Sequence, residues 1–139
     1  MSVAIEALIP HRPPMRWIDS LIDCTDTTAT ATAFFDAEHF AVANGVVSET
    51  ALVECVAQTV AAALGQRART RGHSGNAGIG NTGMLAAVSN FQIHSPVPAG
   101  KPLRIDVREV KRLGPMLMVT GTVSCDGELI ASGELTLYA

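Results

Sequence analysis

Residues 49–69 read ETALVECVAQTVAAALGQRAR, and almost every position after the first turn is small or apolar. The apolar residues cover all sides of a helical projection, a pattern typical of a helix that is buried in a core. Ser48 is a candidate N-cap, Glu49 suits the positive end of the helix dipole, and Gly72 can terminate the helix. We therefore predict a buried helix of about 22 residues, roughly 33 Å long, around which the domain is built.

Glu54 places a carboxyl group inside this apolar segment. Burial without a partner disfavours the charged form of a carboxyl, so an acid at such a position requires a structural or chemical partner. Gln58 lies on the same face one turn later, because residues four apart are neighbours on a helix. Glu54 and Gln58 are therefore the first candidates for a functional site. The structural alternative for Glu54 is a carboxyl that is bonded to a backbone group or lies at a dimer interface.

The segments that flank the helix have the composition and punctuation of β-strands. Residues 16–35 are rich in β-formers, and we predict one long or bent strand through 25–35. After the helix, prolines and glycines separate strand-like segments, and Asp126-Gly127 is the signal of a two-residue type I′ hairpin. The predicted strands after the helix are 84–94, 103–108, 116–124 and 129–137. A long helix followed by about four antiparallel strands indicates an α+β fold.

Residues 72–83 form a glycine-rich segment in which Gly78, Gly80 and Gly83 have the G-x-G-x-x-G spacing of dinucleotide-binding sites. In that motif a strand precedes the glycines and a helix follows them, whereas here the order is reversed. We therefore predict a mobile loop that binds no dinucleotide.

The composition excludes several classes of protein. The 139 residues suffice for one core, and no shift in composition marks a second, so we predict a single domain over 1–139. A net charge of −3 argues against nucleic-acid binding, and no apolar run reaches the ~20 residues that a membrane span requires. Cys24, Cys55 and Cys125 lack the C-x-x-C spacing of metal or redox sites, and the N-terminus lacks the features of a signal peptide. We predict a cytoplasmic protein with neither metal nor cofactor.

Four motifs resemble, in the same order, those of the hotdog-fold β-hydroxyacyl-ACP dehydratases, over nearly the whole chain. They are Pro10-His11-Arg12-x-Pro14-Met15, His39-Phe40, Glu54-x-x-Ala57-Gln58, and Phe91 followed by Pro96-Val97-Pro98-Ala99-Gly100. Within this family the chain is most similar to the small dehydratase-like branch of aryl-polyene pigment clusters. The resemblance implies an α+β hotdog fold, in which a curved antiparallel β-sheet wraps a long central helix.

The resemblance also implies an active site at a dimer interface. In the family, a histidine before the helix of one subunit acts with a glutamate on the helix of the other, at the mouth of an acyl tunnel. Carried over to this chain, the glutamate is Glu54 and the histidine is His39. The implied substrate is a 3-hydroxyacyl chain on the phosphopantetheine of acyl carrier protein. The implied partner is a second copy of the chain or another hotdog subunit.

Dehydration of a 3-hydroxyacyl thioester to the trans-2-enoyl thioester requires a base for the C2 proton and an acid for the departing hydroxyl. Neutral His39 suits the base, and Glu54, kept protonated by apolar neighbours, suits the acid. Gln58 can orient the carboxyl or the substrate, and free amides at the helix N-terminus can stabilise the enolate oxygen. We predict His39 and Glu54 as catalytic residues, and Gln58 and Gly45 as substrate-binding residues.

The connection at 38–48 departs from the family pattern. The dehydratases have Gly-His-Phe-Pro-Gly there, whereas this chain has Glu38-His39-Phe40-Ala41-Val42. The glycine expected near the start of the helix is also replaced, in Val47-Ser48-Glu49. Gly45 is the remaining candidate for a close approach to the thioester carbonyl.

Two other functions fit the same residues. A hotdog thioesterase would use Glu54 as base or nucleophile, without His39. A non-catalytic subunit would instead complete an active dehydratase partner.

Fewer features indicate a functional role for the remaining histidines and the basic residues. His94, at the end of a predicted strand, is the reserve candidate for the base, while His11 and His73 are expected to be structural or surface residues. A group of basic residues could form a rim that steers an acidic carrier protein, despite the negative net charge. The members of this basic rim are Arg16, Arg67, Arg69, Arg71, Arg108, Lys111 and Arg112.

Overall fold

The computed structural model describes residues 4–72 and 84–138. Along these ranges a 3₁₀ turn, two strands and a small hairpin precede one long helix, and further strands follow it. The bounds are 3₁₀ turn Ile5–Ala7, β1 Ile18–Cys24, β2 Thr28–Ala33, β3 Val42–Ala43, β4 Val46–Val47, α1 Glu49–Thr70, β5 Met84–Ile93, β6 Leu103–Leu113, β7 Met116–Cys125 and β8 Glu128–Tyr138. The predicted loop with its G-x-G-x-x-G spacing lies outside the described residues from position 73 onward, and so does His73.

The helix α1 agrees closely with its prediction and has 22 residues. Gly72, with a φ of 95°, adopts the left-handed conformation that ends a helix, as predicted. Ser48 is the N-cap residue, as predicted, but its hydroxyl lies 2.8 Å from the Thr50 hydroxyl and makes no capping bond to a backbone amide.

The large sheet is antiparallel, has the strand order β1-β2-β6-β7-β8-β5 and curves around α1. Alternate residues of β6 and β7, among them Ile105 and Val119, are buried towards the helix. The turn between β7 and β8 is the predicted Asp126-Gly127 hairpin, with φ of 54° and 78° at its two residues. A long central helix wrapped by a curved antiparallel sheet confirms the predicted hotdog fold.

The strand predicted through 25–35 is β2, but it begins only at Thr28, and the separate strand β1 before it was not predicted. The chain reverses before Thr28, and β1 pairs antiparallel with β2, with Leu21 opposite Ala31. Thr25 closes the turn: its N–H donates to the Thr28 carbonyl at 2.8 Å, and its hydroxyl accepts from the Thr28 N–H at 3.0 Å. A threonine hydroxyl can close a turn in this way, so the segment needs neither the glycine nor the proline that marks the other turns.

The helix packs closely against both the sheet and the N-terminal segment. At Gly121 of β7, a Cβ would lie 2.5 Å from Cγ1 of Val56 on α1. At Gly65 of α1, a Cβ would overlap the carbonyl oxygen of Leu8. A glycine at each contact therefore allows an approach that any larger residue would prevent.

The prediction that α1 is buried on all sides is wrong along one stripe. Val53, Ala57, Ala61 and Leu64 are only partly buried, although they are apolar and pack against the core. They recur at the spacing of one helical face. Within the described ranges, no helix is both long and apolar enough to cross a membrane.

Candidate active site

Glu54 lies in the second turn of α1, next to the partly buried stripe. Its side chain is 35% exposed, so the carboxyl is less buried than predicted. Carboxyl oxygen Oε2 accepts a hydrogen bond of 2.9 Å from the side-chain amide of Gln58, as the spacing of four residues allows. Glu54 thus combines access from solvent with one oxygen held by the protein.

Gln58 is 1% exposed, and its amide is fully used inside the chain. Nε2 donates to Oε2 of Glu54 and to the Met15 carbonyl, both at 2.9 Å. Oε1 accepts from the backbone N–H groups of Trp17 at 2.8 Å and Ile18 at 3.3 Å. Of the two roles predicted for Gln58, this geometry supports orientation of the carboxyl, because both amide hydrogens are already donated.

Among the described residues, His11 is the histidine that contacts Glu54. Its Nε2 lies 3.4 Å from Oε2 of Glu54, and its side chain is 32% exposed. His11 was predicted to be a structural or surface residue, whereas it contacts Glu54, the first candidate for a functional site.

His39 lies just before β3, among aromatic rings. Its ring stacks on Phe40 and meets Phe35 edge-on, each with a centroid distance of 4.9 Å. Nδ1 accepts a hydrogen bond of 3.0 Å from the backbone N–H of Ala41, so the neutral ring carries its proton on Nε2 while this bond persists. Within the described part of the chain, His39 forms neither a hydrogen bond nor an ion pair with Glu54.

Trp17 connects the surroundings of the two predicted catalytic residues. Its backbone N–H is bonded to Gln58, which in turn holds Glu54. Its indole ring meets the imidazole of His39 edge-on at a centroid distance of 6.0 Å. The indole N–H donates to the Pro14 carbonyl at 2.8 Å, which fixes the ring against the entry segment, residues 9–17 before β1.

Gly45 lies in the turn of the β3–β4 hairpin, before Ser48 and the start of α1. Asn44 and Gly45 have φ of 53° and 76°, the combination that a type I′ turn requires. The Gly45 carbonyl accepts from the N–H of Ala99 at 2.9 Å, so the hairpin is tied to the segment before β6. The turn itself therefore accounts for glycine at this position, and substrate binding by Gly45 stays a prediction.

A groove of about 390 Å³ opens between the start of α1 and the end of β5. His94 lies at its edge, exposed, with Nε2 3.1 Å from the Ser132 hydroxyl. The groove has a largely apolar lining that includes Val46, Leu52, Ile93 and Val97, with Glu49 at the helix end. Its position next to the first turn of α1 makes it the candidate space for part of a substrate.

Cys55 follows Glu54 on α1 but points into the core. It is fully buried, and burial, together with the nearby Glu54 and Asp19 charges, raises the pKa of its thiol. Cys55 and Cys125 are buried free thiols, and Cys24 is partly buried. Among residues 4–72 and 84–138, no three side chains of the metal-binding types lie together.

Comparison with known proteins assigns the family. The model of the ApeP-like family, described as ApeP dehydratase, matches residues 3–139. The chain belongs to the ApeP-like dehydratase family. The predicted resemblance to hotdog-fold dehydratases is thereby confirmed.

Individual relatives agree with this family. The chain is 26% identical over 141 residues to the 3-hydroxyacyl-[acyl-carrier-protein] dehydratase FabZ of Geobacillus sp. (strain WCH70), with 94% of this chain and 89% of the relative covered. It is similar in fold to the dehydratase heterocomplex ApeI:P from Xenorhabdus doucetiae, with a TM-score of 0.87, 18% identity, and 99% and 91% of the two chains covered. Thioesterase superfamily member 2 from Mus musculus shares the fold, with a TM-score of 0.65, 15% identity, and 86% and 80% covered.

His11 and Trp17 were not predicted to lie at the candidate site of this ApeP-like chain. Both belong to the entry segment, whose Pro10-His11-Arg12 motif was a usable signal. No local periodicity shows what that segment touches, because the bond between Trp17 and Gln58 joins residues 41 positions apart. Only the packing of the segment on α1 reveals the contact.

Proposed function

We propose that this protein dehydrates a 3-hydroxyacyl thioester on acyl carrier protein to the trans-2-enoyl thioester. The observation that carries the proposal is the Glu54 carboxyl of this ApeP-like chain, which is partly exposed and has Oε2 held by Gln58. An acid that is accessible and oriented is what the protonation of a leaving hydroxyl requires. The chain would act as a single domain in the cytoplasm.

In the proposed reaction, His39 of one protomer takes the C2 proton of the substrate. The electron pair of that C–H bond forms the C2=C3 double bond. Glu54 of the other protomer gives its proton to the C3 hydroxyl, which leaves as water. Free backbone N–H groups in the first turn of α1, beside the groove, and the backbone at Gly45 would bind the thioester carbonyl as negative charge develops on it.

The hydrogen bond from Ala41 to His39 bears on the proton assignment. To accept a proton at Nε2, the ring must carry its own proton on Nδ1, so we expect the Ala41 bond to open when substrate binds. Exchange of the C2 hydrogen for deuterium in an acyl-ACP that lacks the 3-hydroxyl isolates the base. We expect His39→Ala to lose this exchange and Glu54→Gln to retain it. The opposite pattern would assign the base to Glu54 and the acid to His39.

The proposed partner subunit docks on β5, one of the two edge strands of the sheet. Leu85 and Val88 pair in register with the buried Leu137 and Leu135 and so point to the concave side, yet they are 39% and 44% exposed. The partly buried stripe of α1 lies on the same side of the sheet. A second hotdog subunit at this edge would cover both apolar surfaces. The edge strand favours such docking, because its unpaired backbone groups can pair with another chain.

Carrier protein is the proposed source of the acyl chain, and the structure narrows the basic rim that would attract it. Arg67 is 14% exposed, donates to the Thr25 carbonyl at 2.9 Å and lies 3.6 Å from Glu109. Arg16 is paired with Glu6 and Asp19. Arg67 and Arg16 are therefore structural cations. The exposed members of the rim are Arg69, Arg71, Arg108, Lys111 and Arg112. Unchanged carrier-protein binding after charge reversal at Arg69 and Arg71 would refute a contribution from the helix end.

Incubation of the purified protein with 3-hydroxyacyl-ACP tests the proposed function. Mass spectrometry of the carrier protein should detect a loss of water, with the enoyl chain still attached. Release of free acid would instead support a thioesterase that uses Glu54. This second function is tested because the chain shares its fold with a thioesterase superfamily member. If neither product forms alone but the enoyl product appears after addition of a second hotdog subunit, the chain is a partner subunit, in line with its likeness to a heterocomplex.

A further inference from the structure

We propose that His11 is a positioning residue that fixes the Glu54 carboxyl for catalysis, a role that rests on the proposed function. The imidazole approaches the same oxygen that Gln58 holds, with Nε2 3.4 Å from Oε2. This distance is longer than that of a good hydrogen bond. Catalytic hydrogen bonds are often long without substrate and tighten in the reacting complex.

The backbone around His11 is fixed on both sides. On the N-terminal side, Nη1 of Arg12 donates to the carbonyls of Ile9 and His11, both at 2.8 Å. On the C-terminal side, Gln58 bonds to the Met15 carbonyl at 2.9 Å. The Arg12 bonds hold the segment in shape, and the segment cannot move away from α1 without breaking the bond between Gln58 and Met15. The segment thereby holds the His11 imidazole next to Glu54, on the outside of the helix.

The environment of the ring selects its tautomer. Nδ1 of His11 is buried and has no hydrogen-bond partner among the described residues. A proton on Nδ1 would bury an unpaired N–H group, which is unfavourable. The neutral ring is therefore best accommodated with its proton on Nε2, the nitrogen that faces Glu54.

Two N–H donors, from Gln58 and His11, then converge on Oε2 of Glu54. They limit rotation of the carboxyl and leave Oε1 as the oxygen that is free of hydrogen bonds within the described residues. Oε1 is the atom that would face the substrate hydroxyl. A displacement of about 1 Å in a reacting group can reduce the rate by roughly 100-fold, so a fixed carboxyl matters for turnover.

Kinetics of a matched pair of variants tests this role. His11→Phe keeps a planar ring and removes the donor, whereas His11→Gln retains an N–H group at a similar reach. We expect His11→Phe to lower kcat by about 10-fold to 100-fold with KM within about twofold, and His11→Gln to recover most of kcat. A kcat within about twofold of wild type in His11→Phe would overturn the proposal. So would equal losses in both variants with equal falls in Tm, since that is the behaviour of a residue needed only for folding.

An activity-independent measurement separates this proposal from the proposed function. The ¹⁵N resonance of His11 Nε2 should be that of a protonated nitrogen and should move in Glu54→Gln, while the resonances of His94 stay unchanged. A His11 resonance that ignores Glu54→Gln would refute the contact itself. If the resonance moves but the wild-type protein forms no enoyl product, with or without a second hotdog subunit, the proposed function fails and the positioning role of His11 fails with it.

Discussion

Gln58 is the residue that joins the entry segment to α1. Its amide bonds to Glu54, to the Met15 carbonyl and to the N–H groups of Trp17 and Ile18. We expect Gln58→Met to lower the free energy of unfolding by about 2–4 kcal/mol, because it leaves buried backbone groups without partners. Denaturant unfolding measures this loss.

The matched control is Gln66→Met, the same change on the same helix. Oε1 of Gln66 is buried without a hydrogen bond, so its replacement should change stability little. Equal losses of unfolding free energy in the two variants would show that the hydrogen bonds of Gln58 do not stabilise the fold.

Local pattern was enough to find Glu54 and Gln58, since a carboxyl and an amide one turn apart stand out in an apolar segment. It was not enough to find His11. The side chain of His11 reaches Glu54 only because the entry segment folds across α1, and that contact depends on tertiary packing rather than on spacing along the chain.

At the scale of elements, the fit between α1 and β7 depends on the absence of a side chain at Gly121. A Cβ there would lie 2.5 Å from Cγ1 and 3.2 Å from Cγ2 of Val56, whose β-branched side chain has little freedom to rotate away. We expect Gly121→Ala to lower the free energy of unfolding by about 2 kcal/mol.

Val56→Ala removes both γ carbons and provides the control. In that background Gly121→Ala should have a much smaller effect, and thermal or denaturant unfolding of the four proteins gives the coupling. Additive effects would show that the two residues do not meet as the structure describes.

The elements that were predicted correctly have strong local signals. The apolar run of α1 and the Asp126-Gly127 turn each specify their conformation without help from distant residues. The β1–β2 turn was missed because Thr25 closes it with its hydroxyl. Threonine is also common within strands, so its presence does not indicate a turn.

At the scale of the whole molecule, the exposed concave side of β5 predicts an assembly with a second subunit. We expect Val88→Asp to convert the dimer into a monomer, because it places a charge on the surface that the partner would cover. Size-exclusion chromatography with light scattering measures the mass.

Val110→Asp is the control, since Val110 is 59% exposed and lies on β6, with β7 and β8 between it and β5. It should leave the mass unchanged. A dimer that survives Val88→Asp would place the interface elsewhere. The sequence alone did not locate this edge, because an edge strand and an internal strand have the same alternating pattern.

The central claim is that His39 of one protomer and Glu54 of the other form one active site. Co-expression of His39→Ala and Glu54→Gln chains with different affinity tags allows the mixed dimer to be isolated. Each mixed dimer would contain one site with both residues intact, so it should recover about half of the wild-type rate of enoyl formation, while each parent variant remains inactive. A mixed dimer as inactive as its parents would contradict the shared site.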